Sequence, residues 1–307
     1  MPRHGKGIDA FFCSKDFDGE LFANESLAKH TSYRIGGLAS YYVEVNSLGS
    51  LMKLVDQCSL LDIPWTVLGK GTNVLVADEG YRGVVIVLGR DFRNYHLDAD
   101  TKILSCGAGV SLGAIVKEAF RESLEGLEFA VGTPGSVGGA VRMNAGSAST
   151  WIGSRILSVT TLHPERGMTR HPGEQITWGY RQTSFEAEDI IVECEIKLEK
   201  ADPFDIRKRM DDYLANRKKS QPLTMPSCGS VFRNPQGQSA GALIDQLGLK
   251  GYSVGGAQIS DVHANFIVNT GDATAHDVRA VIQYIQESVQ SAYGMSLVPE
   301  VKFLGFE

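Results

Sequence analysis

Residues 132–146 read GTPGSVGGAVRMNAG. Five of these fifteen residues are glycine, one is proline and none is acidic. Glycine costs backbone entropy inside helices and strands, so the stretch is not expected to be an ordinary interior of either. It suits a place where the backbone turns tightly and brings several N–H groups to a bulky anion. Its only charge, Arg142, is positive. A diphosphate fits such a stretch, and on composition alone so does a glycine-rich surface loop.

The chain has 307 residues, room for two or three domains. It is 43% hydrophobic and 21% charged, ordinary for a globular protein. A net charge of −6 lacks the basic footprint of a general nucleic-acid binder but leaves room for a local basic pocket. The cysteines, Cys13, Cys58, Cys106, Cys194 and Cys228, are odd in number, scattered and without a CxxC pair. Neither a disulfide framework nor a metal site is expected. The first residues lack the apolar run of a signal peptide, and no stretch approaches the roughly 20 apolar residues of a membrane span. A soluble cytoplasmic protein is expected, with no nucleic-acid or membrane partner.

Outward from the glycine stretch, the pattern alternates between strands and helices. Residues 1–23 show no sustained period and are expected to be an extension or a loose turn. Strands are predicted at Tyr41–Val45, Trp65–Leu68, Val74–Val76 and Val84–Leu88, with a helix over Leu48–Leu61. A second unit begins near residue 100. Leu112, Ile115, Val116, Ala119 and Phe120 share one helical face, with Ser111 as N-cap. Strands follow at Ile156–Leu162 and Ile190–Leu198, the latter alternating apolar and charged residues. After Ala201-Asp-Pro203 the character changes. Residues 204–219 predict an amphipathic basic helix that could join two domains, or simply a solvated charged face. A last helix carries the stripe Val278, Val281, Ile282, Ile285, Val289.

Several motifs carry little alone. Gly69-Lys-Gly-Thr-Asn73 has a P-loop flavour, yet Gly71 stands where Ser or Thr is needed and Pro64 where a glycine is needed. A tight glycine turn between strands can still present N–H groups to phosphate. Gly107-Ala-Gly109-Val-Ser-Leu-Gly113 imitates a dinucleotide turn with its third glycine one residue late. Arg181 beside Tyr180 reads as a surface or stacking arginine. Pro226–Pro235 is a rigid turn of small polar residues containing Ser230, with no histidine in a triad context. Cys228 reads as structural and Glu300 as an edge charge or a buried functional carboxylate.

In this order, eight stretches together resemble the UDP-N-acetylenolpyruvoylglucosamine reductase family over roughly residues 24 to 303. They are Thr31–Gly37, Leu68–Val74, Gly126–Phe129 running into Gly132–Gly139, Met143–Gly146, Gly179–Arg181, Cys228–Pro235, Ala240–Ile244 with Gly248–Gly251, and Leu297–Val301. The compact middle region is similar to the shorter, second type of the family.

The resemblance implies an α+β fold. Two α/β FAD-binding subdomains of the vanillyl-alcohol-oxidase type, about 24–90 and 91–200, would hold the cofactor. A C-terminal α/β substrate-binding domain, 201–307, would follow, its last strand returning to the flavin. The implied activity is reduction of UDP-N-acetylglucosamine enolpyruvate to UDP-N-acetylmuramate, in peptidoglycan precursor synthesis. NADPH passes hydride to N5 of noncovalent FAD, and the flavin passes it to the enolpyruvyl C3. The resemblance gives Ser230 as proton donor to C2, with Arg181 and Glu300 as the other catalytic residues. FAD would be held by Leu68, Gly69, Lys70, Gly71, Thr72, Asn73 and Val74 on one side. On the other would be Gly132, Thr133, Pro134, Gly135, Ser136, Gly138, Gly139, Asn144, Ala145, Gly146 and Val192. Tyr180, Arg181, Arg217, Lys218, Arg233 and Asn234 would bind substrate. A monomer without metal is expected. The alternatives are a flavin oxidase using O₂, an inactive nucleotide-binding module, and a dinucleotide enzyme built on Gly107–Gly113.

Overall fold

A computed structural model describes residues 5–146 and 150–306, with side chains from residue 7. Its contacts divide the chain into two compact units: residues 1–23, 41–69 and 83–214, and residues 24–40, 70–82 and 215–307. Each has its own apolar core.

The first unit begins with a helix where a loose extension was expected. Helix α1, Gly5–Phe12, buries Ile8 and Phe11, three residues apart on one face. Phe11, Phe12 and Phe17 pack ring to ring at 5.1 to 5.7 Å, and Tyr41 joins Phe12. Eight residues make a helix too short to be stable or legible by its own periodicity, and packing against Phe17 and Tyr41 holds it. Residues 1–4 lie outside the described residues.

Helix α2, Leu48–Leu60, follows the expected periodicity, with Leu51, Leu54, Val55 and Cys58 buried and Ser47 as N-cap. A four-stranded sheet runs Gly19–Ser26, Leu38–Val45, Tyr81–Leu88, Trp65–Val67, its last pair parallel. A five-stranded sheet runs Gly167–Pro172, Ile156–His163, Ile190–Lys197, Ile103–Gly107, Tyr95–Leu97, and every pairing in it is antiparallel. Its register sets Cys106 opposite Cys194, with sulfurs 3.5 Å apart and both thiols free. Helices α3, Leu112–Arg121, and α4, Val137–Arg142, pack in the same core. Helix α5, Pro203–Ser220, carries the boundary between units after Leu214. Its Arg209 binds Glu128 and Glu125 at 2.6 and 2.7 Å, tying α5 to the 124–130 segment.

The second unit gathers three separate chain segments. Helices α6, Ala240–Gln246, and α7, Ala275–Tyr293, pack with a three-stranded antiparallel sheet, Ser253–Val254, Ala257–Ile259, Ile267–Asn269. The predicted stripe of α7 is buried, Thr274 and Asp277 form a capping box, and Gly294 ends the helix at φ 67°. The Asp78 carboxylate accepts the N–H groups of Ala275 and His276 at the start of α7. The strand Lys302–Leu304 lies parallel to Val74–Val76, so the C-terminus returns to the strand that leaves the Gly69–Asn73 turn. Segments 24–40 and 70–82 belong to this unit because their partners are distant in sequence, which no local pattern announces.

Candidate active site

The turn after Trp65–Val67 is the clearest anion cradle. The N–H of Leu68 still pairs with Ile86 O, but those of Gly69, Lys70, Gly71, Thr72 and Asn73 donate to no acceptor among the described residues. Five successive unspent donors are costly unless water or a ligand takes them. Gly71 has φ 60°, and a Cβ there would lie 2.0 Å from His30 O. Ser32 N–H donates back to Gly71 O, so residues 30–32 brace the turn. A Cβ on Gly69 would lie 2.5 Å from Ser136 Oγ, which brings the start of this turn against the glycine stretch.

The glycine stretch is partly helical, contrary to expectation. Residues 137–142 form the short α4, with Ser136 Oγ capping Gly139 N–H at 3.3 Å. Its glycine content reflects close packing: a Cβ on Gly138 would lie 2.8 Å from the Ala108 methyl. Leu112 N–H donates to Gly135 O and Val137 N–H to Val110 O, around an antiparallel bridge between Ser111 and Ser136. Ser111 is the N-cap of α3 as expected, but without a side-chain capping bond, and this bridge fixes the start of the helix. In such a pair the bridged residues turn their own N–H groups outward. Arg142, taken from sequence as the charge beside the anion, is spent elsewhere. It donates to the carbonyls of Phe185, Glu186 and Asp189, and burial lowers its pKa.

Asn144 has φ 42° and is buried. Its amide donates to Gly179 O at 2.9 Å and accepts from Gly153 N–H at 3.1 Å. Its side chain therefore holds the hairpin turn of Tyr180 and Arg181. Arg181 sits at φ 57°, a conformation that favours glycine or asparagine. Its Nη1 donates to Gly146 O at 2.9 Å and its guanidinium lies 5.4 Å from the Tyr180 ring centre. A strained arginine held this firmly is a functional candidate rather than a loose surface charge. Val192 lies at the irregularity in the Ile190–Lys197 pairing, and its carbonyl takes Ala108 N–H.

The dinucleotide-like stretch fails as a site. The N–H groups of Gly107, Ala108 and Gly109 donate to Asn94, Val192 and Phe92 carbonyls inside the fold. Its strand has antiparallel neighbours, whereas a dinucleotide turn needs a parallel sheet.

In the second unit, Gly229 at φ 82° turns the chain into Ser230, which is half-buried. The next residues pair with the C-terminal segment: Glu300 N–H donates to Val231 O at 2.7 Å and Arg233 N–H to Val298 O at 2.9 Å. Glu300 O accepts from Asn73 Nδ2 at 3.2 Å, and Lys302 N–H donates to Asn73 O at 3.0 Å. Ser230, Glu300 and the Lys70–Asn73 part of the cradle are thus joined by short main-chain links. Glu300 Oε2 is shielded from solvent. Cys228 is buried, its thiol pushed up to about 12 chiefly by burial, so it is an inert neutral thiol, as its sequence context suggested. Burial, then the neighbouring Cys228, pushes the Tyr33 phenol well above its ordinary range.

The other candidates divide. Arg233 Nε is buried and has no partner among the described residues, as suits a ligand-facing group. Asn234 Oδ1 accepts Ala240 N–H at 3.0 Å, at the start of α6. Arg217 is half-buried with a pKa lowered by burial, and Lys218 is exposed. No local pattern marks Asp78, Asn265 or Asn269, whose side chains hydrogen-bond main-chain groups of segments distant in sequence.

Two family models match the chain. A FAD binding domain covers residues 39–171, and the C-terminal domain of UDP-N-acetylenolpyruvoylglucosamine reductase covers 221–304. A UDP-N-acetylenolpyruvoylglucosamine reductase of Halalkalibacterium halodurans is 42% identical over 291 residues, 94% of this chain and 95% of that protein. The chain belongs to the UDP-N-acetylenolpyruvoylglucosamine reductase family. The family member of Bacillus subtilis is 38% identical over 289 residues, 94% of this chain and 95% of that one. The crystal structure of the family member from Thermus caldophilus superposes with a TM-score of 0.80 at 35% identity, covering 94% of this chain and 99% of that one. The fold class expected from sequence is the family's own.

Proposed function

We propose that this protein is the FAD-dependent, NADPH-using reductase that converts UDP-N-acetylglucosamine enolpyruvate to UDP-N-acetylmuramate in peptidoglycan precursor synthesis. The carrying observation is the row of five unspent N–H donors, Gly69 to Asn73, tied through Asn73 to the Glu300 segment. These residues fit a flavin diphosphate: the donors are there, and a side chain at Gly69 or Gly71 would collide with what surrounds it. Leu68–Val74 and the segments 132–136 and 138–139 would hold the cofactor, the last by close approach rather than by donation, since the Gly138 N–H goes to Ala108 O and the Gly139 N–H to Ser136 Oγ. Asn144, Ala145, Gly146 and Val192 would complete that set, with Asn144 and Gly146 also holding the Arg181 turn. Bound FAD supplies the two-electron relay from NADPH to the enolpyruvyl C3.

The chain's own groups do the rest. Ser230 donates the proton to C2, its turn fixed by Gly229 and by the pairing of Val231 with Glu300. Arg181, held by Gly146 O, binds the substrate carboxylate and favours the charge that develops there. Glu300 hydrogen-bonds the same intermediate. Arg233, with Asn234, Arg217, Lys218 and Tyr180, contacts the sugar nucleotide, and the buried Arg233 Nε is the best supported of these. Among the described residues no helix is long and apolar enough to cross a membrane. The proposal extends to a cytoplasmic monomer.

Ser230→Ala tests the assignment. Anaerobic reduction by NADPH should stay near the parent rate, and reoxidation by the enolpyruvyl sugar nucleotide should slow by about 10²- to 10⁴-fold, the scale of a lost general acid. Equal slowing of both half-reactions, or of neither, would remove Ser230 from the proton-donor role.

A further inference from the structure

Asn265 sits in the hairpin loop between Ala257–Ile259 and Ile267–Asn269, only 4% exposed. It makes three hydrogen bonds to the two residues after Ser230. Its main-chain carbonyl accepts Val231 N–H at 2.8 Å. Its side-chain Oδ1 accepts Phe232 N–H at 2.9 Å, and its Nδ2 donates to Phe232 O at 2.9 Å.

The pattern follows from strand geometry. Phe232 forms an antiparallel bridge with Pro299, in which the flanking residues make the hydrogen bonds: Arg233 to Val298 and Glu300 to Val231. The N–H and C=O of Phe232 therefore point to the opposite edge. No strand of the described residues pairs there; the Asn265 amide presents one acceptor and one donor at the spacing a strand would offer. Phe232 itself is 1% exposed, so losing that partner would strand two buried main-chain groups.

We propose that Asn265 is a positioning residue for the proton-transfer step. Its amide substitutes for a neighbouring strand and fixes the 231–232 main chain between itself and the 298–300 segment. That sets the register of Ser230 against Glu300. The inference rests on the assignment of Ser230 as proton donor. Misplacement of a reacting group by about an ångström can cost on the order of 10²-fold in rate, whereas cofactor binding by the Gly69–Asn73 turn involves none of these bonds.

The test uses the holoenzyme with Asn265→Ala and Asn265→Asp. Aspartate keeps the acceptor for Phe232 N–H but sets an oxygen against Phe232 O. Both variants should retain FAD and be reduced by NADPH near the parent rate, while reoxidation by the enolpyruvyl sugar nucleotide slows by about 10- to 100-fold. Independently of turnover, hydrogen exchange at the Phe232 amide should quicken in Asn265→Ala, with the amides of α7 unchanged. In a Ser230→Ala background, adding Asn265→Ala should cost less than about 2-fold, because the two act on one step. Equal slowing of both half-reactions, unchanged reoxidation, an unchanged Phe232 amide, full additivity with Ser230→Ala, or failure of both variants to fold would each overturn the proposal. If Ser230→Ala alone leaves reoxidation intact, the proton-donor assignment fails; if it slows reoxidation and the Asn265 variants do not, only the positioning role fails.

Discussion

Replacing Gly69 by alanine probes the cradle with one methyl group. The added Cβ would stand 2.5 Å from Ser136 Oγ, about 0.9 Å inside ordinary contact at 3.4 Å. Ser136 can rotate away, but its Oγ caps the Gly139 N–H of α4. Losing that cap costs about 1 kcal/mol. Holding the rotamer instead imposes overpacking of about 1–3 kcal/mol, a comparable cost, so the turn shifts together with a weakened cap. Global stability should fall by only about 1 kcal/mol. The larger effect falls on the anion. Displacing one or two N–H donors from a diphosphate loses about 1.5–3 kcal/mol for each charge-assisted bond. FAD affinity should weaken by about 10- to 100-fold or more, at 1.4 kcal/mol per tenfold. The assay titrates apoprotein with FAD, following flavin fluorescence, beside thermal melts with and without cofactor. Gly113→Ala is the control. Its Cβ would meet nothing closer than Ser111 Oγ at 3.9 Å, and it lies in α3, where alanine is the better residue. It should retain FAD and be neutral or slightly more stable. Wild-type FAD affinity in Gly69→Ala would refute the cradle, and loss of FAD in Gly113→Ala would return the site to the Gly107–Gly113 stretch.

Two further outcomes follow from buried polar groups. Asn144→Ala leaves Gly179 O and Gly153 N–H without their partner, which should lower stability by about 2–4 kcal/mol, read as a drop in Tm, and slow reoxidation by loosening the Arg181 turn. His263 titrates below its ordinary range of 6.5, because burial disfavours its charged form. Its neutral ring accepts Asn265 N–H on Nδ1 at 3.1 Å. With the folded pKa depressed, this contribution to stability is complete above about 6.5 and is lost as pH falls through the folded value. His263→Gln should therefore lose less Tm than the parent protein between about pH 7.5 and 5. An undiminished acid drop in that variant would assign it to other groups.

Much of the local structure was legible in the chain. Periodicity located α2, α3 and α7, and alternation located Ile190–Lys197, because apolar positions recur at the spacing of the surface they bury. The Gly69–Asn73 turn could be read as a donor of N–H groups, since two glycines between short apolar strands make a tight turn that can face its N–H groups to an anion. Arg142 could not be read correctly. Its charge was visible, but its destination in three carbonyls of residues 185–189 depends on a loop more than forty residues away. Helix α1 is not legible in the sequence, because its stability lies in contacts with Phe17 and Tyr41 rather than in its own propensity.

By itself the sequence determined the kind of chemistry: glycine turns for a diphosphate, and an ordered series of motifs shared with one reductase family. Those features are local, because turn geometry and hydrogen-bonding groups belong to a few adjacent residues. Only the tertiary structure decided which donors remain unspent, that Asn144 is bound to a hairpin thirty-five residues on, and that Asn265 completes an edge for Phe232. A main-chain N–H is identical at every position until its partner is known, and partners distant in the chain are chosen by packing rather than by neighbouring residues.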